Sequence, residues 1–152
     1  MQLNLALGFL MLPVLEKKIA GATLILIFVL KNKDKDYSTL VEWCDKVQIF
    51  DVFFNKSLHP EIVNKSPWLL AFLHRQGRFG EAELEKMWHI ATKKHDAFRR
   101  SVIDVLKFLV DQCLNWQQID NLVQKIKALS GKEQDTKSLE LLKQIAKKLS
   151  ST

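Results

Sequence analysis

Glu81-Ala82-Glu83-Leu84-Glu85-Lys86-Met87-Trp88-His89-Ile90-Ala91-Thr92-Lys93-Lys94 reads as one amphipathic helix. Leu84, Met87, Trp88 and Ala91 recur at the spacing that lines a single helical face, and charged residues fill much of the rest. The same period continues downstream. Val102, Val105, Leu106, Leu109 and Cys113 repeat at helical intervals, with Phe98, Ile103 and Val110 widening the stripe. Asn115 is placed to cap the next helix, whose apolar face is Ile119, Leu122, Val123 and Ile126. Gly131 and its polar neighbours break the pattern. Leu139, Leu142, Ile145, Ala146 and Leu149 then form one more amphipathic face.

Working upstream, Gly77 ends a helical stretch that begins at Pro60. Pro67 falls inside that stretch. A proline there removes a hydrogen bond and clashes with the preceding turn, so a kink or a restart with Ser66 as cap is expected. Phe50 to Phe54 is short and aromatic, fitting a buried turn or helical extension. Ser38 caps a helix through Val47, and Asn32-Lys33-Asp34-Lys35-Asp36 is a charged connector. Pro13 suits the first turn of a helix reaching Lys31, and a first helix runs to about Met11. No segment sustains strand-like alternation, so the chain is expected to be all-α.

Composition agrees. The 152 residues are 47% hydrophobic and 26% charged, which is ordinary for a globular chain and excludes bulk disorder. Five Gly and three Pro supply little of the turn chemistry that an all-β fold needs. The net charge of +6 permits an acidic partner without naming one. Its C-terminal lysines alternate with apolar residues, the pattern of a solvated helix face, and most aromatics sit at core spacing. A nucleic-acid platform would need exposed stacking aromatics along a basic stripe. The apolar runs Leu3–Leu15 and Ile19–Leu30 are separated by Glu16-Lys17-Lys18, and neither reaches the ~20 residues of a bilayer span. No basic segment precedes Leu3, as a signal peptide would require. Two helices are expected instead, the second apolar nearly all round and needing cover.

Chemistry is sparse. Cys44 and Cys113 lie far apart in apolar helical patterns, with no Cys-x-x-Cys, so neither a zinc box nor a disulfide framework is implied. Reduced thiols packed as small hydrophobes are the expectation. His59, His74, His89 and His95 form no His-x-x-x-His pair that would put two ligands on one helical face. No catalytic, metal or cofactor residue is assigned.

Two stretches carry a family likeness: Leu58-His59-Pro60-Glu61-Ile62-Val63, and Met87-Trp88 through Lys94-His95. In order and spacing they resemble the non-catalytic helical-repeat region of the very large ubiquitin-specific proteases of the fat-facets (FAF-X) type. There an aliphatic helix follows a Leu-His motif. A Gly-Arg-Leu-like turn comes next, then a helix with an Ile-Trp-x-Ala-x-x-x-Lys-His-like signature; here the turn reads Gly77-Arg78-Phe79. Leu12–Ala22, and Val41-Glu42-Trp43 leading to Ile49–Phe54, fit the same order, so the resemblance spans Leu12 to Leu129. Pro67 departs from the family's continuous helix.

The resemblance implies antiparallel helical hairpins stacked as an armadillo-like solenoid fragment. Residues 1–131 would form the repeat region and 132–152 an amphipathic helix within the stack or at its edge. No exact internal repeat is visible. The family's protease domain carries a Gly-Asn-Thr-Cys-Tyr box and a later histidine box, and neither occurs here. A non-enzymatic scaffold without cofactors is implied, serving ubiquitin-dependent regulation in the cytoplasm, with the nucleus also open. Its expected partners are proteins or further repeats, including ubiquitin-pathway proteins. The signature residues Leu58, His59, Trp88, Ala91, Lys94 and His95 are expected to be structural. Trp88 should be a core aromatic whose N–H finds a partner. Lys94 and His95 should close their helix against its dipole, and His59 should sit in a turn. The alternatives are an independent helical adaptor unrelated to ubiquitin and a small membrane-associated protein.

Overall fold

Gly21 fixes how the chain begins. It lies in α2 (Leu15–Lys31), which folds back on α1 (Gln2–Leu10). A Cβ at Gly21 would stand 2.5 Å from the Ala6 carbonyl oxygen and 2.6 Å from the Leu10 nitrogen. Only glycine lets the two backbones approach so closely. The computed structural model describes residues 2–31, 38–129 and 136–151. α1 turns Leu3, Ala6 and Leu10 inward, and α2 turns Gly21, Ala22, Ile25 and Val29 inward. The hairpin is tied to the body at two points. The Leu10 carbonyl accepts from Lys18 Nζ and from the buried Ser57 Oγ, both at 3.0 Å. Trp43 Nε1 donates to Asn4 Oδ1 at 2.9 Å.

Next come α3 (Ser38–Val47) and a short α4 (Ile49–Asp51), which runs into a π-helical turn over Val52–Lys56. The Ser57 N–H reaches the Val52 carbonyl at 2.8 Å, the i to i−5 bond of that geometry. The extra residue places Phe53 and Phe54 in the core and stacks Phe50 on Phe54 at 4.7 Å. The aromatic stretch is thus the helical extension expected from its sequence.

Pro67 restarts the helix. α5 (Pro60–Asn64) and α6 (Pro67–Arg75) each carry proline at the first turn. His59 caps α5, its Nδ1 accepting from the Glu61 N–H at 3.1 Å. Ser66 precedes α6 without capping it: its Oγ turns back to donate to the Val63 carbonyl at 2.7 Å. α6 ends in a Schellman motif, with Arg78 N–H on the Leu73 carbonyl and Gly77 N–H on that of His74. Gly77 takes the left-handed conformation this needs, φ 74°.

α7 (Glu81–Lys93), α8 (Asp96–Gln112), α9 (Trp116–Lys127) and α10 (Thr136–Ser150) complete the chain. α8 is the hub: α5, α6, α7 and α10 all pack against it, which buries Val102, Ile103, Val105, Leu106, Leu109 and Val110. Asn115 caps α9 as expected, accepting from Gln118 N–H at 2.9 Å while Gln118 Oε1 accepts from Asn115 N–H at 3.1 Å. Among the described residues the chain is all-α, a solenoid of stacked helices without strands.

Besides the Ser66 cap, other expectations change in detail. Pro13 does not enter α2: the Val14 carbonyl takes the first helical N–H bonds, from Lys17 and Lys18, so Pro13 sits before the helix. Within this chain α2 buries one face only, leaving Leu24, Ile27 and Leu30 exposed. His95 does not close α7 but opens α8, its carbonyl accepting from Phe98 and Arg99 N–H. α10 is rotated from its expected face: Ser138, Leu141 and Ile145 are buried, while Leu139, Ala146 and Leu149 are exposed. Ser138 lies on the inner face because its Oγ accepts from Arg99 Nη2 at 2.9 Å. The charged connector at 32–36, the break at Gly131 and the boundary between 131 and 132 lie outside the described residues.

Candidate functional site

The signature residues occupy two helices that meet on α8. Leu58 and His59 lead into α5, and Trp88 and Ala91 lie on the buried face of α7. Leu58 packs against the core, while Trp88 and Ala91 are inside it. Lys94 ends α7 as its exposed C-terminal residue, and His95 sets its ring edge-on to Phe98 at 4.8 Å. Both helices pack on α8, but no hydrogen bond or ring contact joins the His59 pair to Trp88 among the described residues. The Trp88 indole N–H has no protein partner there either; the tryptophan that finds one is Trp43.

Residues outside the signature do more of the joining. Arg99 bridges three helices, donating to the Ala91 carbonyl on α7 at 3.1 Å and to Ser138 on α10. His74 on α6 meets Gln118 Oε1 on α9 at 2.9 Å, through the Nε2–H tautomer. Arg78 pairs with both oxygens of Asp45, linking the turn after α6 to α3, and Lys125 pairs with Glu85. The sequence marks Arg78 only as part of a turn, and Arg99 and Gln118 not at all. An arginine or glutamine in a helical run looks like solvent-facing surface until its partner is known.

A cleft of about 380 Å³ lies beside the Arg78–Asp45 pair, lined also by Cys44, Gln48, Phe50, Glu83 and Lys86. Gln48 at its edge is left-handed, φ 52°, a conformation disfavoured for a side chain of that size. Three of the cleft's charged groups are engaged: Arg78 with Asp45, and Glu83, whose Oε1 accepts from Gly80 N–H at 2.8 Å to start α7. Its one thiol, Cys44, is not activated. Burial pushes the Cys44 thiol up to about 12, with Asp45 adding to the shift. Burial also raises Cys113 to about 11, against the lowering pull of Arg75 and Lys148. Both thiols are protonated near neutral pH, and the reactive species is the thiolate. No histidine hydrogen-bonds either sulfur among the described residues. No group of three metal-ligating side chains is assembled there, and no helix there is long and apolar enough to cross a membrane.

What the surface does offer is apolar area. Leu5, Met11, Val14, Leu24, Ile27 and Leu30 of the N-terminal hairpin are exposed, as are Trp68 and Trp116.

Comparison with known proteins places this architecture. The model of the UBP24/USP9X/USP9Y ARM repeat matches residues 28–152. Mouse (Mus musculus) ubiquitin carboxyl-terminal hydrolase 9X is 28% identical over 122 residues, covering 76% of this chain and 5% of that protein. Mouse ubiquitin carboxyl-terminal hydrolase 9Y gives the same figures, and the human (Homo sapiens) 9Y is 29% identical over 115 residues, 70% of this chain and 4% of its own. The chain thus spans about 5% of the length of the relatives it matches. No solved structure matches it. The family match differs in extent from the resemblance read in the sequence: it begins beyond Leu12–Ala22 and continues past Leu129 through α10.

Proposed function

The chain belongs to the UBP24/USP9X/USP9Y ARM-repeat family, and from that premise we propose that it is a non-catalytic helical scaffold acting in ubiquitin-dependent regulation. The observation that carries this reading is the extent of the match. It runs over residues 28–152, and the family it names is a repeat, a unit that works by packing. The two protonated thiols support the non-catalytic half, as does the lack of the cysteine and histidine boxes of the resembled proteases. On this reading residues 1–131 form the repeat region and α10 its edge. Partners are proteins or further helical repeats, among them ubiquitin-pathway proteins, and the site of action is the cytoplasm, with the nucleus also open. The signature residues Leu58, His59, Trp88, Ala91, Lys94 and His95 hold the architecture and do not touch substrate.

Acute depletion of the protein followed by ubiquitin-remnant profiling tests the regulatory half. A defined set of proteins should change in ubiquitination, and re-expression should restore it. An unchanged profile would leave the reading as a helical adaptor outside the ubiquitin pathway.

A further inference from the structure

One groove on the surface combines an exposed indole, an aliphatic wall and an unpaired cation. It lies between α2 and α6, encloses about 380 Å³, and is lined by Val29, Leu30, Trp68 and Arg75. We propose that this groove docks an amphipathic helix of a partner protein, one that presents an aliphatic stripe with a carboxylate beside it. The inference deepens the interaction half of the function proposed above and rests on it for the existence of a partner.

The groove is preformed. Pro67 starts α6 and the Schellman motif at Gly77 ends it, so Trp68 and Arg75, two turns apart, share a fixed face. Phe108 on α8 meets the Trp68 ring edge-on at 5.0 Å and 75°, which holds the indole in place while leaving it 44% exposed. Val29 is buried at the floor and Leu30 stands 42% exposed. A rigid, half-exposed tryptophan beside a concave apolar wall is the kind of anchor that dominates helix-in-groove binding, because little ordering entropy is lost on docking.

Charge selects the partner. Among the described residues the exposed Arg75 makes no hydrogen bond or ion pair, and no carboxylate among them lines the groove. A carboxylate docked there would gain a bidentate guanidinium without displacing an existing pair. The α10 edge of a second copy is a poor occupant, because Leu139 and Leu149 lie on a helix bearing Lys143, Lys147 and Lys148. A lipid surface is a poor occupant as well, because the groove is concave and takes one or two side chains.

The test uses a fluorescein-labelled helical peptide of about 15 residues, with leucines on one face and glutamates flanking them. A second peptide has lysine in place of each glutamate. Binding is read by anisotropy at low salt. The glutamate peptide should bind saturably and at least ~10-fold more tightly than the lysine peptide. Trp68→Ala and Arg75→Glu should each weaken it by ~10-fold or more, and Arg75→Lys by less. Equal affinity for the two peptides, no loss in Arg75→Glu, or no binding would overturn the proposal. Phosphatidylserine vesicles that bind in a Trp68- and Arg75-dependent way while the peptide does not would assign the groove to lipid. Sedimentation showing self-association lost in the same variants would assign it to a second copy. If Trp68→Ala fails to fold, Arg75→Glu still decides, because Arg75 is exposed and makes no hydrogen bond or ion pair among the described residues. A failed peptide experiment leaves the ubiquitin-remnant profile free to succeed, since that measurement depends on no single groove.

Discussion

At Cys44 and Cys113 burial decides both chemistry and stability. An unfolded thiol titrates near ~8.5, while these stand at about 12 and about 11 in the folded chain. A raised pKa means that the folded state holds its proton while the unfolded state releases it. The contribution to stability is therefore complete below the unfolded value and is lost as pH rises through the folded ones. Urea unfolding of the wild type should weaken more steeply above about pH 9 than that of the Cys44→Ala, Cys113→Ala variant, in which lysine titration is unchanged. Equal slopes would show that the thiols are not buried. In the core, Leu106 is fully buried and Trp88 only 8% exposed. Truncating either to alanine should cost ~2–5 kcal/mol by denaturant unfolding. A loss within ~0.5 kcal/mol at both would move them to the surface.

Among the elements, the N-terminal hairpin depends most on one residue. Glycine within a helix costs ~1 kcal/mol relative to alanine, so Gly21→Ala would stabilise an isolated α2. In the folded chain the added Cβ meets Ala6 and Leu10 backbone at 2.5 and 2.6 Å. The helices must part, and a net loss of ~1–3 kcal/mol is expected on urea unfolding; a more stable variant would show that the close approach is absent. The elements also show where sequence reading succeeds. The restart at Pro67, the stop at Gly77 and the Asn115 cap are legible because each follows from backbone chemistry local to a few residues. The inner face of α10 is only partly legible. Leu142 and Ile145 of the expected stripe do pack inward, but packing on α8 and the Arg99–Ser138 bond bring in Leu141 and leave Leu139, Ala146 and Leu149 exposed. His95 fails for a related reason, since a cation suited to a helix end does not show where one helix ends and the next begins.

For the whole molecule, the fold class is plain from periodicity, and its stacking from the family resemblance. The candidate site is far less legible. The groove at Trp68 joins helices distant in sequence, and an exposed tryptophan has the same spacing as a buried one. The outer face of the N-terminal hairpin leaves Leu5, Leu24 and Ile27 in water, and on the proposed function a partner or further repeats cover it. Sedimentation of the purified chain on the order of tens of micromolar should show concentration-dependent association. A monodisperse monomer without detergent would remove this argument for a missing partner.

On the function proposed above, the chain acts through packed helical surface and carries no catalytic centre. Hydrolysis of a ubiquitin–fluorophore conjugate tests it most directly, with wild type, Cys44→Ser and Cys113→Ser side by side. All three should release fluorophore no faster than buffer. Turnover by the wild type that either substitution abolishes would contradict the account.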